Sequence, residues 1–320
     1  MHRANLQHQA EAAPQPRGCV CYVIDEGYLF PTLVSALQAR AHVPPAVADV
    51  VIACIGEPTA HSEAVAAVAA ARGVHFIRAS HADIDGLHVM FGRFFLSEIL
   101  PAHYRRVVYI DGDTQVRGAL EPLFRADVPA GGFLACRDPA ILFAQHDLAH
   151  RRRLAAYRQQ IGLTGAAEDY FNSGVLVIDR AGWGAIAETC LGVYRERGEA
   201  FRFPDQDALN LGARDACTLI SNRWNFPGFL IGSRAEAVAL PRIYHFMSNP
   251  RPWNVAAQPW GEAWGAPYRG LLADHPELSF LKPSKSRMHV VRYCVQQFVK
   301  MSLSYRAVGR MREAPPQLYV

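Results

Sequence analysis

The chain has 320 residues; half are hydrophobic and 19% are charged, a composition that is typical of a globular protein and excludes a largely disordered one. The length allows one large domain or two small ones, and no apolar run approaches the roughly 20 residues that a membrane-spanning helix needs. The net charge of +4 is concentrated in Leu281–Val320, where eight Lys or Arg accompany a single acid, so the body of the chain is slightly acidic and nucleic acid is disfavoured as a partner.

Residues 1–17 are polar and predict a flexible leader rather than an export signal, because they contain no apolar stretch. Seven cysteines without an export signal indicate reduced thiols in the cytosol. Lysine occurs only near the carboxyl end, at Lys282, Lys285 and Lys300. The body of the chain therefore lacks the lysine that a P-loop or a pyridoxal-phosphate site requires.

Strand-like and helix-like patterns alternate after the leader. Four apolar runs have the composition of buried parallel strands: Cys19–Ile24, Val50–Ile55, Val74–Ile77 and Arg106–Ile110. Helical spacing separates them over Leu29–Leu37, Ser62–Arg72 and Val89–Leu100. This alternation predicts an α/β fold with a doubly wound, Rossmann-like, mostly parallel sheet, whose ligands bind beyond the carboxyl ends of the strands. The first strand is followed by Asp-Glu-Gly-Tyr and not by G-x-G-x-x-G, which disfavours a dinucleotide site.

An acid pair, Asp111-Gly112-Asp113, directly follows the fourth predicted strand. The spacing of two residues places both carboxylates on one side, and the glycine between them allows a ligand or another backbone segment to approach. Two carboxylates this close need a cation, and oxygen ligands with open positions suit Mg²⁺ or Mn²⁺ bridging a diphosphate. The same spacing at Asp83–Asp85 and Asp205–Asp207 does not follow a buried strand, and a polar turn or a helix N-cap is the commoner explanation of such a pair.

A histidine in the second half is a candidate third ligand. His245 lies in the short strand-like stretch Arg242–Phe246. A lone histidine near an apolar face is usually structural, but beside two carboxylates it is a potential metal ligand. The loop that follows is rich in donors, among them Ser248, Asn249 and Arg251, that could hold phosphate oxygens.

Two further segments combine acids with amides. Asp169–Gly174 leads into a predicted strand over Gly174–Ile178, and Pro204–Asn210 opens a predicted helix. Asp205 has two interpretations, a helix N-cap or a side chain that holds sugar hydroxyls together with the neighbouring amide.

These segments resemble the motifs of the family 8 retaining glycosyltransferases, which include the bacterial lipooligosaccharide galactosyltransferases and glycogenin. The matching segments occur in the family's order across Cys19–Trp264: Tyr109–Asp113, Asn172–Val175, Asp205–Asn210 and His245–Trp253. The resemblance implies a GT-A fold, a UDP-glucose or UDP-galactose donor, and Mn²⁺ or Mg²⁺.

The resemblance also implies roles for single residues. Those implied to hold the metal are Asp111, Asp113 and His245. Those implied to contact the nucleotide sugar are Asp25, Tyr28, Arg93, Gly112, Ser248 and Arg251. Arg251 stands where the family usually has lysine, so the positive charge at the diphosphate is kept but the shape of the charged group changes. Ser248 stands where the family usually has glycine.

Asn172, Asp205 and Gln206 are implied to line the transferred sugar and are the candidate catalytic residues. A retaining double displacement needs a carboxylate on the far face of the sugar. The resemblance places Gln206 there, and an amide is a poor nucleophile. We therefore expect front-face attack, in which the departing phosphate takes the proton of the acceptor hydroxyl.

The carboxyl-terminal tail has the pattern of a basic amphipathic helix. Apolar residues recur at helical spacing at Val291, Cys294, Val295, Phe298 and Met301, with Arg292 and Lys300 near the other face. Such a helix predicts attachment through residues 282–312 to an anionic membrane surface, where a lipid-linked acceptor would lie. The alternative is a helix packed on the domain with a solvated basic side.

We therefore predict three regions: a leader over residues 1–17, a GT-A domain over 18–265, and a membrane-associating tail over 266–320. The predicted activity moves a hexose from a UDP-sugar to a glycan or glycolipid precursor such as lipopolysaccharide core, at the cytoplasmic face of the membrane. Residues around Arg137–Gly165 are expected to recognise the acceptor. Within them, Arg151–Arg153 form either a solvated helix face or a contact to an anionic acceptor. The alternatives are a metal-dependent nucleotidyltransferase or phosphoesterase, and a catalytically silent nucleotide-sugar-binding protein.

Overall fold

A computed structural model describes residues 18–146, 148–165, 169–282 and 287–309. Its strands are β1 (Gly18–Ile24), β2 (Ala48–Ile55), β3 (His75–Ala79), β4 (Arg106–Ile110), β5 (Thr114–Val116), β6 (Phe133–Arg137), β7 (Phe171–Asp179), β8 (Cys217–Ile220), β9 (Phe226–Pro227) and β10 (Ile243–His245). Its α-helices are α1 (Leu29–His42), α2 (Ala60–Ala71), α3 (Leu96–Ile99), α4 (Glu121–Arg125), α5 (Pro139–His146), α6 (Leu148–Ile161), α7 (Arg180–Arg197), α8 (Pro204–Gly212), α9 (Arg234–Ala239), α10 (Gly261–Asp274) and α11 (Arg287–Gly309). The predicted leader lies outside the described residues.

The main sheet has seven strands in the order β3-β2-β1-β4-β7-β6-β8. Its pairs are parallel except that β7 runs antiparallel to both β4 and β6. The predicted α/β architecture with a mostly parallel sheet is therefore confirmed. The reversed strand brings the start of β7 to the edge where β1, β4 and β6 end. A second sheet of three strands, β5-β10-β9, closes over this edge.

Helices cover both faces of the main sheet, and β1 shows why its sequence is continuously apolar. Val20, Tyr22 and Ile24 pack into the core under α1 and α2, whereas Cys19, Cys21 and Val23 pack into the core under α7 and α8. A strand that is buried on both sides needs apolar residues at every position.

The predicted helix over Val89–Leu100 is wrong in form. Val89–Phe95 is a 3₁₀ helix, and only Leu96–Ile99 is α-helical. Gly92 lies so close to β1 that an added Cβ would come within 2.4 Å of Val23 Cγ1. Three buried phenylalanines accompany it, and because neither glycine nor phenylalanine favours an α-helix, packing on the sheet decides the conformation.

The carboxyl-terminal helices pack on the body of the protein. α10 contacts α1, and its Tyr268 and Leu271 belong to the same core as β1. α11 contacts α5, α9 and the 3₁₀ turn Gly228–Leu230. The division at residue 265 stays a prediction. Within the described part of the chain, no helix combines the length and the apolar character that are needed to cross a bilayer.

α11 faces the body with polar side chains. Gln297 and Ser304 are 1% and 3% exposed, whereas the large apolar residues lie on the solvent side. Arg292 and Lys300 do not share a face: Arg292 is exposed, and Lys300 turns toward the body. The exposed apolar residues, which we call the outer face of α11, are Met288, Val291, Val295, Phe298, Val299 and Leu303.

Candidate active site

A cleft of about 1050 Å³ opens where β1, β4 and β6 end and β7 begins. The structure brings most of the predicted site residues together there. Those that line the cleft are Asp25, Tyr28, Arg93, Asp111, Gly112, Asp113, Asn172, Asp205, Gln206 and His245. Arg251 borders the cleft through a hydrogen bond from Nη2 to Asp113 Oδ2 of 3.0 Å. Ser248 is not brought to it; its hydroxyl donates to Gln297 on α11.

Two carboxylates and one imidazole converge at the base of the cleft. His245 Nε2 lies 3.0 Å from Asp113 Oδ1 and 3.7 Å from Asp111 Oδ2. One potential ligand atom from each of the three residues lies within 4.8 Å of the others. The second sheet makes this possible, because β10 carries His245 and pairs with β5, which follows directly after the acid pair.

Asn225, which the sequence analysis did not identify, orients the imidazole. Its Oδ1 lies 2.9 Å from His245 Nδ1, and its Nδ2 donates to Asn172 Oδ1 at 2.7 Å. The amide orientation that this second bond requires leaves Oδ1 to accept from Nδ1–H. Nε2 therefore faces the two carboxylates, as in metal sites where the second ring nitrogen is held by an outer partner.

Close backbone approach explains two glycines of the site. A Cβ on Gly174 would lie 2.3 Å from His245 Cε1 and 2.8 Å from Asp111 Oδ2. A Cβ on Gly112 would lie 2.2 Å from Thr32 Oγ1 on α1. The acid pair is packed so tightly between α1 and β7 that neither position has space for a side chain.

The two acids have opposite pKa shifts. Burial would raise the pKa of Asp113, but His245 and Arg251 overcome this effect and lower it to about 2. Burial raises the pKa of Asp111 above its usual value in spite of Arg93 and His245. Burial also opposes charging of His245, yet Asp113 raises the pKa of the imidazole. The surroundings thus favour the ionised form of Asp113 more than that of Asp111.

Arg93 connects the acid pair to the predicted sugar side. It is only 6% exposed, and its Nη2 donates to Asp111 Oδ1 at 3.0 Å while its Nη1 lies 3.2 Å from Asp205 Oδ2. Nη1 also donates to the carbonyl of Ser173 at 2.6 Å. Burial alone would lower the pKa of Arg93, but Asp111 and Asp205 raise it. Arg93 therefore remains charged and holds both carboxylates in place.

Gln206 lies at the centre of the sugar side and uses all of its hydrogen-bonding groups. Its Oε1 accepts from Asn172 Nδ2 at 2.9 Å and from the backbone N–H of Ser173 at 3.3 Å. Its Nε2 lies 3.0 Å from Asp138 Oδ2 and 3.0 Å from Tyr170 Oη. The N-cap interpretation of Asp205 is wrong, because Phe203 occupies the N-cap of α8 and Asp205 accepts from the hydroxyl of Ser173 instead.

Asp138 and Asp207 complete this network and were not identified from the sequence. Asp138 directly follows β6, so the position that singled out Asp111 after β4 could have singled it out as well. Asp207 is fully buried and accepts from Tyr157, from Tyr170 at 2.6 Å and from the backbone N–H of Phe203 at 2.9 Å. Its carboxylate does not line the cleft; it holds Tyr170, which in turn contacts Gln206.

The family model of glycosyl transferase family 8 matches residues 19–257 of the chain. Among curated proteins, lipopolysaccharide glucosyltransferase WaaO of Escherichia coli is 24% identical over 228 residues, which are 67% of this chain and 62% of the relative. General stress protein A of Bacillus subtilis is 28% identical over 166 residues, covering 47% and 53% of the two chains. The chain thus spans less than two thirds of the length of these relatives.

Among solved structures, the galactosyltransferase LgtC in complex with donor and acceptor sugar analogues superposes with a TM-score of 0.62 at 22% identity, covering 79% of this chain and 95% of LgtC. The glycosyltransferase GlyE of Streptococcus pneumoniae superposes with a TM-score of 0.57 at 20% identity, covering 86% and 66%. At these identities the likeness concerns the fold, and it confirms the predicted GT-A architecture.

Proposed function

Because the chain belongs to glycosyl transferase family 8, we propose that it transfers glucose or galactose from a UDP-sugar to a glycan acceptor with retention of configuration. The observation that carries the proposal is one cleft in which a three-residue cation site and an amide–acid network are joined by Arg93. Phosphoryl transfer alone has no need of the network around Gln206, which favours glycosyl transfer over a nucleotidyltransferase or phosphoesterase activity.

The donor set of the cation site fits Mn²⁺ or Mg²⁺. It consists of two carboxylates and one imidazole with an outer hydrogen bond, and its position in the open cleft leaves ligand positions for phosphate oxygens. When bound, the cation would neutralise charge on the diphosphate of the donor. Arg251 lies beside Asp113 and adds a second positive group to the same side. Asp25 and Tyr28, at the end of β1, are proposed to contact the nucleoside.

The network around Gln206 supports front-face attack. In this mechanism the bond from the anomeric carbon to UDP breaks, the bond to the acceptor oxygen forms on the same face, and the acceptor proton moves to the departing phosphate. The residue proposed at the far face is an amide, and the carboxylate of Asp205 is already held by Arg93 and Ser173. These side chains bind sugar hydroxyls and support developing positive charge.

We expect Gln206→Ala to slow transfer about 10- to 100-fold, because it removes the hydrogen bonds that hold Asn172 and Asp138 in place beside the transferred sugar. The wild-type protein should form no covalent glycosyl adduct when it is incubated with donor and analysed by intact-mass spectrometry. A wild-type adduct, together with complete loss of activity in Gln206→Ala, would show a double displacement instead.

The experiment that tests the proposed function measures UDP release from a panel of UDP-sugars, with and without Mn²⁺. We expect slow, metal-dependent hydrolysis of one UDP-hexose in the absence of acceptor. Metal-dependent UDP binding without release from any donor would show a catalytically silent binding protein. If the protein neither releases UDP from any donor nor binds UDP, the proposal is overturned, and the phosphoryl-transfer alternatives would then be tested first.

The proposed acceptor is a lipid-linked glycan such as lipopolysaccharide core, and the proposed location is the cytoplasmic face of the membrane. The acceptor class is supported by the likeness to WaaO, whose name describes a lipopolysaccharide glucosyltransferase. The location is supported by the outer face of α11, on which Val291, Val295 and Phe298 are each 59% exposed or more. Arg292 and Arg306 are also exposed on this helix and would contribute about 1 kcal/mol each near anionic lipid.

We expect Phe298→Glu to weaken binding to phosphatidylglycerol vesicles at least about tenfold, because it removes a large apolar group from the outer face and adds repulsion. Gln296→Glu, which adds the same charge at an exposed polar position of α11, is the matched control and should have a smaller effect. Co-sedimentation with vesicles measures both. Equal binding by wild type, by Phe298→Glu and by a chain lacking residues 282–320 would refute membrane attachment through this helix.

A further inference from the structure

The cleft is also lined by basic side chains that are not among the potential metal ligands. They come from α6, the segment before α8, and α11. We call this group the basic rim; its members are His150, Arg153, Arg202, Lys300 and Arg306. The acids that line the cleft lie instead around the cation site and at Asp138.

Lys300 reaches into the cleft from the body side of α11. Its Nζ lies 4.2 Å from the centre of the Phe229 ring, and burial lowers the pKa of its ammonium group while Asp138 opposes this effect. Within the described part of the chain, no carboxylate forms an ion pair with Lys300, Arg153 or Arg306. A half-buried ammonium group without an ion-pair partner is costly, and an anionic ligand in the cleft would supply that partner.

Aromatic rings accompany the basic rim. Phe143 and Phe229 line the same part of the cleft and lie 5.8 Å apart, and Phe203 is 49% exposed at its edge. Apolar ring faces next to cations suit a ligand with both a sugar ring and an anionic group.

The basic rim is separate from the group proposed to bind the diphosphate. Arg251 faces Asp113 at the cation site, whereas Lys300 has Phe229 and Asp138 as its neighbours. Asp138 in turn accepts from Gln206 and Asn172, so Lys300 adjoins the proposed sugar site through Asp138. A molecule bound to the rim would therefore lie in the same cleft as the proposed sugar site.

We infer that the basic rim binds an anionic group, a phosphate or a carboxylate, that the acceptor glycan carries close to the hydroxyl that is glycosylated. This inference rests on the proposed function and extends it, because it names a chemical property of the acceptor. It also gives α11 two roles, with its outer face toward the membrane and Lys300 toward the acceptor.

The test measures the binding of three soluble oligosaccharides by calorimetric titration in the presence of Mn²⁺ and UDP. The probes are deacylated lipopolysaccharide core oligosaccharide, the same material after enzymatic dephosphorylation, and the same material after reduction of its carboxyl groups. We expect the native oligosaccharide to bind at least tenfold more tightly than one of the modified forms, and the weaker form identifies the anion. Equal dissociation constants for all three, or no binding of any, would overturn the inference.

Variants test the residues. Lys300→Met and Arg153→Gln should each weaken binding of the native oligosaccharide about tenfold and leave binding of the form without the recognised anion unchanged. Arg152→Gln is the matched control, because Arg152 is the exposed neighbour of Arg153 on α6 and does not line the cleft. The assignment of Lys300 and Arg153 to the anion would be contradicted if these variants lost affinity equally for all oligosaccharides, or if Arg152→Gln lost as much affinity for the native one.

A donor-side readout separates this inference from the proposed function. Metal-dependent UDP release without acceptor should be the same in wild type, Lys300→Met and Arg153→Gln. If wild type releases no UDP from any donor, the proposed function fails. If wild type releases UDP but does not distinguish the three oligosaccharides, only the inference fails.

Discussion

Replacement of Asp113 by Asn should reduce metal-dependent UDP release by at least about 10³-fold. His245 and Arg251 lower the pKa of Asp113 to about 2, and its side chain is only 7% exposed. Asparagine keeps the shape but removes the charge that faces His245 and Arg251. Both the cation site and the position of Arg251 depend on that charge, so the substitution weakens metal binding and diphosphate binding together. The measurement is UDP release from the preferred donor across a Mn²⁺ titration.

Asp85→Asn is the control for this prediction. Asp85 belongs to another pair of acids with the same spacing, is exposed, and forms an ion pair with Arg195 at 3.4 Å. This variant should retain wild-type turnover and the wild-type requirement for Mn²⁺. If Asp113→Asn retained metal-dependent turnover within tenfold of wild type, the proposed cation site would be wrong.

Replacement of Arg93 by Met should lower the free energy of unfolding by about 3–5 kcal/mol and abolish transfer. Arg93 is buried between Asp111 and Asp205, and solvent does little to screen it. Removing it leaves two partly buried carboxylates without their shared cation and takes away the hydrogen bond to the carbonyl of Ser173. Chemical denaturation measured in the presence of EDTA gives the stability, and the UDP-release assay gives the activity.

Arg195→Met is the matched control for stability. It removes the exposed ion pair with Asp85, in which the two side chains are 58% and 59% exposed, and should cost less than about 1 kcal/mol. If Arg93→Met lowered the free energy of unfolding by a similarly small amount, the two carboxylates would not need the arginine as their counter-charge. Arg93→Lys should recover part of the stability, because it restores the charge but not the two-pronged geometry.

Much of the site was predictable because its chemistry lies in short segments. An apolar strand followed by Asp111 and Asp113 indicates a cation site at a strand end whatever the rest of the fold, since the direction of a strand determines where its last residues lie. The helix start at Pro204 and the strand over Gly174–Ile178, which in the structure begins at Phe171, were predicted in the same way. The positions of Asp25, Tyr28 and Arg93 in the cleft came from the family resemblance.

Contacts between distant segments could not be predicted in this way. Asn225 reaches His245 because β9 lies beside β10. Asp138 reaches Gln206 because β6 ends next to it. Ser248 has the chemistry of a phosphate-binding residue, but α11 holds it away from the cleft. The predicted helix over Val89–Leu100 failed for the same reason, since its close contact with β1 overrides the helical spacing.

For α11, the sequence determines that the segment is an amphipathic helix but not how the helix is oriented on the protein. The spacing of its apolar residues determines that the segment is an amphipathic helix, because side chains separated by three or four residues share one side of a helix. The spacing does not say which side faces the protein. The tertiary structure turns Gln297 inward and Phe298 outward, and it directs Lys300 into the cleft. Periodicity is a property of one segment, whereas the direction a face takes depends on the surface against which that segment packs.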